Sequence, residues 1–107
     1  MRMGGLNSLA RLVKYGLAGD ANREELARQT ILLAGSRVAK LYHASLQDHQ
    51  DATMEAAERA FARIADWNPT RGGWSTFVSI CVRSVIRDRL NKYKRDSAAL
   101  DALRKMP

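Results

Sequence analysis

Cysteine is nearly missing from this chain. Cys81 is the only one, which rules out an intrachain disulfide and leaves a cysteine-based metal site without the paired thiolates it needs. His43 and His49 lie six positions apart, neither a helical i,i+4 pair nor a usual ligand spacing; they read as solvated or partly packed imidazoles near a loop, and no metal is expected. No apolar run approaches the ~20 residues of a membrane span, and the amino terminus lacks the pattern of a signal peptide. A cytoplasmic protein with no membrane partner is the expectation. Glycine-rich phosphate loops are also missing, Gly4-Gly5 and Gly72-Gly73 being too short, and Ser36, Ser45, Ser75, Ser79 and Ser84 have no nearby His-carboxylate pattern. The sequence therefore points away from an enzyme and calls for no cofactor.

Proline is confined to Pro69 and Pro107, outside the periodic segments, and much of the rest is Ala, Leu, Arg and Glu, which favour helix. The fold class expected is all-α, a compact bundle of about four helices. A chain of 107 residues fits one domain and should bury roughly 65% of its unfolded surface. The formal charge of +7 favours an anionic partner, because clustered Lys and Arg gain affinity by displacing counterions from a phosphate backbone; an acidic membrane surface would satisfy the same charge.

Periodicity divides the chain as follows. A first helix is predicted over Leu6 to Leu17, with Leu6, Leu9, Ala10, Val13 and Leu17 on one face and Gly19-Asp20 as its break. A second starts after Asp20 or Asn22 and runs to Ala44, with a stripe of Ala27, Ile31, Ala34, Val38, Leu41 and Tyr42; Gly35 interrupts it and could allow a close helix crossing. Ser45 to His49 reads as a polar connection. The third helix, Gln50 to Asp66, places Met54, Ala57, Phe61 and Ile64 toward the core. Asn68-Pro69 and Gly72-Gly73 end it in a turn. A fourth helix begins near Trp74 and reaches at least Arg95, with Phe77, Val78, Cys81, Val82, Val85, Ile86 and Leu90 inward, leaving Asp96 to Pro107 as a frayed extension or the start of another helix.

Two segments carry opposite charge. Asp48, Asp51, Glu55 and Glu58 head the third helix, and across Asp48 to Asp66 only Arg59 and Arg63 offset the acids. Acidic residues near a helix N-terminus are favoured by its macrodipole, so this island is read either as a solvated face or as a partner surface. The fourth helix reverses the sign: Arg83, Arg87, Arg89, Lys92, Lys94 and Arg95 accompany a single acid, Asp88. Arg83, Arg87 and Lys94 share a face opposite the apolar stripe, which suits a DNA backbone better than the mixed charge of an ordinary solvated face. Trp67 and Trp74 bracket a turn containing Asn68, Thr70 and Arg71. Such a loop can hold an unstacked base, although a tryptophan at a helix corner more often fills the core, above all Trp74, which continues the inner stripe. Cys81 is read as a buried small hydrophobe.

In order and spacing these segments resemble region 2 of bacterial RNA polymerase sigma factors. Asp51-Ala52-Thr53-Met54-Glu55 is similar to the family's acidic D-x-x-x-E segment, and Trp67-Asn68-Pro69-Thr70-Arg71-Gly72 looks like its F-D-P-x-R-G turn. Arg83-Ser84-Val85-Ile86-Arg87-Asp88-Arg89-Leu90 resembles the R-N-x-x-x-D-x-L pattern of extracytoplasmic-function members. The resemblance covers residues 23–95. It divides the single domain into an N-terminal helical extension (1–20), a sigma-like core (21–95) and a C-terminal tail (96–107). It implies docking on the clamp helices of the large RNA polymerase subunit through Asp48, Asp51, Met54, Glu55 and Glu58. It also implies contacts to the minus-ten promoter element and an opened base from Asn68, Thr70, Arg71, Arg83, Ser84, Arg87 and Lys94.

The chain departs from the family at several positions. Met54 stands where a glutamine is common, Ser84 replaces the family asparagine, and Ile80-Cys81 occupy the place of the paired tryptophans that wedge DNA open in primary sigma factors. No room is left for the region 4 helix-turn-helix, so the expectation includes a second protein supplying that function or recognition through the minus-ten element alone. The rival expectations are a sigma-mimicking inhibitor or retargeting protein, and a small basic nucleic-acid-binding protein without polymerase binding. The acidic helix separates the last from the others, since a pure nucleic-acid binder gains nothing from Asp51 and Glu55.

Overall fold

The computed structural model of the chain describes residues 3–106, with side chains described from Gly5 onward. Among these residues there are four α-helices, α1 (Met3–Lys14), α2 (Asp20–Leu41), α3 (Leu46–Ala62) and α4 (Trp74–Lys105), with a 3-10 turn at Ile64–Asp66. There is no strand among them. α2, α3 and α4 pack against one another in all three pairings, and α1 lies against α2 and α4. The all-α bundle expected from periodicity is the fold observed.

Helix ends follow local chemistry. α1 stops at Lys14, short of the expected Leu17, because Gly16 adopts a left-handed conformation (φ 72°). The Leu17 N–H then reaches the Leu12 carbonyl at 2.8 Å and the Gly16 N–H that of Val13 at 3.1 Å, the paired closure of a Schellman motif. α3 begins at Leu46, earlier than Gln50, because the Ser45 hydroxyl accepts the Asp48 N–H at 3.2 Å, an N-cap within the segment expected to be a loop. His49 closes that corner by hydrogen bonding to the Tyr42 carbonyl. Near the start of α2, Glu25 accepts hydrogen bonds from Arg28 and Gln29, and the Arg28 bonds foremost hold its carboxyl down to about 2.

The core forms around Trp74. Its ring is fully buried, edge-on to Trp67 (centroids 5.3 Å), stacked on Phe77 (5.4 Å) and tilted against Phe61 (6.1 Å). Its indole N–H donates to the hydroxyl of buried Thr30 at 2.9 Å. That bond explains a correction on α2: the buried line is Leu26, Thr30, Ala34 and Val38, with Ala27 and Ile31 on its flank and Leu41 exposed. Thr30 reads as polar in the sequence, yet its hydroxyl is what satisfies the indole.

α3 needs a second correction. Ala52, Ala56, Ala57 and Ala60 face the core, whereas Met54 is 44% exposed. Small side chains let the three main helices approach closely, and the bulky Met54 falls on the outer side. Ala57 is buried as expected, and Phe61 and Ile64 pack half-buried at the core's edge.

α1 is anchored at both ends of the corner. The Asn7 side-chain oxygen accepts the Trp74 N–H at 2.9 Å, satisfying one of the orphan donors at the start of α4. Lys14 Nζ donates to the carbonyls of Ile64 (3.2 Å) and Ala65 (2.6 Å), and Ala10 is fully buried between.

α4 is a single helix of 32 residues, about 48 Å long at the usual rise. Only its first part is covered. Trp74, Val78, Cys81, Val82, Val85 and Ile86 are buried, but Leu90, expected inside, is 47% exposed, because the covering helix α2 ends at Leu41. Asp96 to Lys105 continue the same helix, and Pro107 lies outside the described residues. The overhang gives a radius of gyration of 17.1 Å, against about 13 Å for a rounded chain of this length.

Candidate functional site

The acidic side chains expected to dock a partner lie on α3. Asp51, Met54 and Glu58 are exposed, and their spacing of three and four places them along one outer line of the helix. Asp48 is exposed in the first turn, with its backbone N–H used by the Ser45 cap, and Asp51 accepts a hydrogen bond from Gln47 at 3.2 Å. Glu55 differs from these. It lies 3.7 Å from both Arg59 and Arg89, tying α3 to α4, so it is a bridge more than a free docking group.

On α4 the basic residues form a ridge. Arg83, Arg87 and Lys94 are exposed, a turn or two apart and directed away from the buried stripe, as their spacing predicts. Ser84 is not on that ridge. It faces α3, where its hydroxyl accepts a hydrogen bond from Arg59 at 2.7 Å, and the same guanidinium reaches Asp88 at 3.1 Å. Ser84 is therefore a positioning partner of Arg59.

Between the end of α3 and the ridge lies an open cleft of ≈ 470 Å³ whose rim carries Arg59, Arg63, Arg83 and Arg87 and whose floor includes Phe77, Ile80 and Cys81. Among the described residues Arg63, Arg83 and Arg87 make no ion pair. Three guanidiniums outside any ion pair, with the Asp66 carboxylate also on the cleft wall, stand over an apolar floor and suit a ligand with phosphate on one side and a flat apolar group on the other. Burial pushes the Cys81 thiol up, and the nearby charges of Arg59 and Arg63 only partly oppose this; the sulfur is thus a neutral piece of the floor.

A second cleft of ≈ 380 Å³ opens at the turn, lined by Asn68, Arg71, Gly72 and Thr76, and it shares Asp66, Phe77 and Ile80 with the arginine cleft. The two adjoin along that wall as one trough. The turn itself is pinned. Asn68 Oδ1 accepts both the Thr70 N–H (3.0 Å) and its hydroxyl (2.6 Å), the Arg71 N–H closes on the Asn68 carbonyl (3.0 Å), and the Trp67 indole donates to the Gly72 carbonyl (3.0 Å). Trp67 is 3% exposed, so it braces the turn from inside and offers no face for stacking. Asn68, Thr70 and Arg71 are exposed; what they present outward is the Asn68 amide NH₂ and the Arg71 guanidinium.

The trough thus gathers Asn68 and Arg71 with Arg83, Arg87 and the half-buried Ser84, while Thr70 lines neither cleft and Lys94 lies further along α4. The trough adds Arg59 and Arg63, which the sequence reading counted only as charge offsets. Their signal was present, since the acids occupy the first turns of α3 and these arginines its end, four residues apart. Among the described residues no three acidic, His or Cys side chains are grouped to hold a metal ion, and no helix is long and apolar enough to cross a membrane. No family model, curated protein or solved structure matches the chain.

Proposed function

We propose that this protein is a sigma-like transcription initiation factor that docks on RNA polymerase through the outer face of α3 and holds opened promoter DNA along the trough beside α4. The observation that carries the reading is the separation of charge within one small bundle. Asp51 and Glu58 stand on an outer face that no nucleic acid would favour, while the arginines line a cleft on another side. A strand leaving the turn cleft with a base near Asn68 and Arg71 would pass its phosphates onto Arg63, Arg83 and Arg87. The order of the matching motifs supports the same assignment, and Ile80 in place of a wedging aromatic leaves strand capture to the turn.

The decisive experiment is a pull-down with purified bacterial RNA polymerase core. Charge reversal by Asp51→Lys with Glu58→Lys should lower association at least tenfold with helix content unchanged, since both side chains are exposed. Copurification at the parent level would remove the docking model. In parallel, Arg83→Ala, Arg87→Ala and Lys94→Ala should each weaken single-stranded DNA binding and reduce its salt slope by about one contact. The basic trough also supports a second reading, a nucleic-acid-binding protein with no polymerase partner, and salt-dependent DNA binding without polymerase association would select it. Polymerase binding with no base preference on an opened promoter fork would instead select a sigma-mimicking inhibitor.

A further inference from the structure

α2 covers the apolar side of α4 only as far as Leu41. There Leu41, Ile86 and Leu90 form the apolar part of an open groove of ≈ 440 Å³ whose other lining residues are Arg83, Arg87, Asn91 and Lys94. Beyond the groove the same side of α4 runs on uncovered through Tyr93, Ser97 and Leu100. Leu90 is 47%, Tyr93 71% and Leu100 53% exposed. Their spacing of three, four and three is the two-position seam of a coiled coil. A phosphate backbone has no use for such a stripe, and a helix projecting alone into water gains nothing from it.

We propose that this stripe pairs with the same stripe of a second copy of the chain, the two α4 overhangs lying antiparallel about a twofold axis. The sequence of the stripe is complementary to itself in that orientation. Leu90 meets Leu100 of the second copy, and Tyr93 meets Ser97 of the second copy, large against small, so the layers fill without a void. A parallel pair would set Ser97 on Ser97 and Tyr93 on Tyr93. Charge decides in the same direction. In a parallel pair the flanking positions bring Arg89 toward Lys94 and Asp96 toward Asp101, all like signs. The antiparallel register brings Arg87 beside Asp101 of the second copy twice, against one Lys94-Lys94 and one Asp96-Asp96 approach at the axis. It also puts the two basic bundles at opposite ends of the assembly, where the repulsion between chains of +7 is least. The contact is isologous and therefore closes at two copies.

This assembly goes beyond the initiation-factor reading, and its test uses neither polymerase nor DNA. Sedimentation equilibrium of the full chain should show a mass rising with concentration from 12.0 kDa toward twice that value, with a micromolar midpoint appropriate to a small face. Leu100→Lys should hold the protein monomeric, whereas Ala98→Lys, on the opposite side of the helix, should leave the dimer intact. Both positions are exposed, so neither change disturbs the bundle, and near-UV circular dichroism of the tryptophan pair checks this. Orientation is read in a Cys81→Ala background: mixed Leu90→Cys and Leu100→Cys chains should form a mixed disulfide, and Leu90→Cys alone should not cross-link. A monomer throughout the micromolar range, a dimer indifferent to Leu100→Lys, or cross-linking of Leu90→Cys with itself would each overturn the proposal.

Discussion

α4 is one helix made of two kinds of sequence. From Trp74 to Ile86 it is dominated by Trp, Thr, Phe, Val, Ile and Cys; from Leu90 to Lys105 by Ala, Leu, Lys and Arg. Aromatic and β-branched residues lose rotamer freedom in a helix and are mediocre helix formers, whereas the second set is among the best. The first half contains every buried residue of the helix, and the second contains none. Packing therefore holds the first half in a conformation its residues favour weakly. Propensity holds the second half with no packing from its own bundle. The lesson is about where each half can be damaged, and substitutions should behave oppositely on the two sides of Leu90.

The largest effect should come from the covered half. Trp74→Ala removes a fully buried ring that touches Trp67, Phe61 and Phe77, and a change of this kind costs about 3–5 kcal/mol. Urea denaturation followed by circular dichroism should show the midpoint collapse or no folded baseline at all. Thr30→Val keeps the shape of the partner but strands the indole N–H, for about 1–3 kcal/mol. If Thr30→Val costs nothing, the Trp74-Thr30 hydrogen bond does not organise the core, and the contrast between the halves loses its physical basis.

How much of this could be read in advance varied with the range of the interaction. The four helices and the turn at Asn68-Pro69 were legible because periodicity and turn chemistry are local. So was the α4 ridge, since the one-sided charge of Arg83, Arg87 and Lys94 lies within three turns. Thr30 misled because a polar residue was core, and Met54 because alanine announces no face of its own. Leu90 misled because nothing in its neighbourhood tells where α2 stops. The bridges from Arg59 to Ser84 and from Glu55 to Arg89 join separate helices and have no local signal at all, which is why Ser84 and Glu55 were read as free surface groups.

Asn7 tests the corner from a third direction. It caps the first donor of α4 from 67 residues away in sequence, and loss of a side-chain cap typically costs about 1 kcal/mol. Asn7→Ala should lower the unfolding free energy from urea denaturation by that amount, seen as a lower midpoint at unchanged slope. Asn7→Asp retains the acceptor and adds favourable charge at a helix N-terminus, so it should restore most of the loss. If Asp fails where Asn succeeds, the Asn7 amide NH₂ contributes beside the acceptor oxygen, since the isosteric Asp keeps the packing against Gly73, where an added Cβ would meet Asn7 at 3.1 Å.

The smallest effect on the bundle should come from the most disruptive residue placed in the overhang. Ala98→Pro removes an N–H and clashes with the preceding turn, which inside a packed helix costs about 3 kcal/mol or more. Here the affected turn, residues 94–98, lies past the covered part of the helix: residues 94–106 are exposed apart from the half-buried Ser97. Measured at concentrations low enough for the monomer, the unfolding free energy from urea denaturation should change by less than about 0.5 kcal/mol, while helical ellipticity falls by the share of the unwound turns. The same variant should not self-associate, because the seam ends before Leu100. A large loss of bundle stability in the dilute monomer would mean that the overhang is coupled to the core after all, and that α4 is one cooperative unit from end to end.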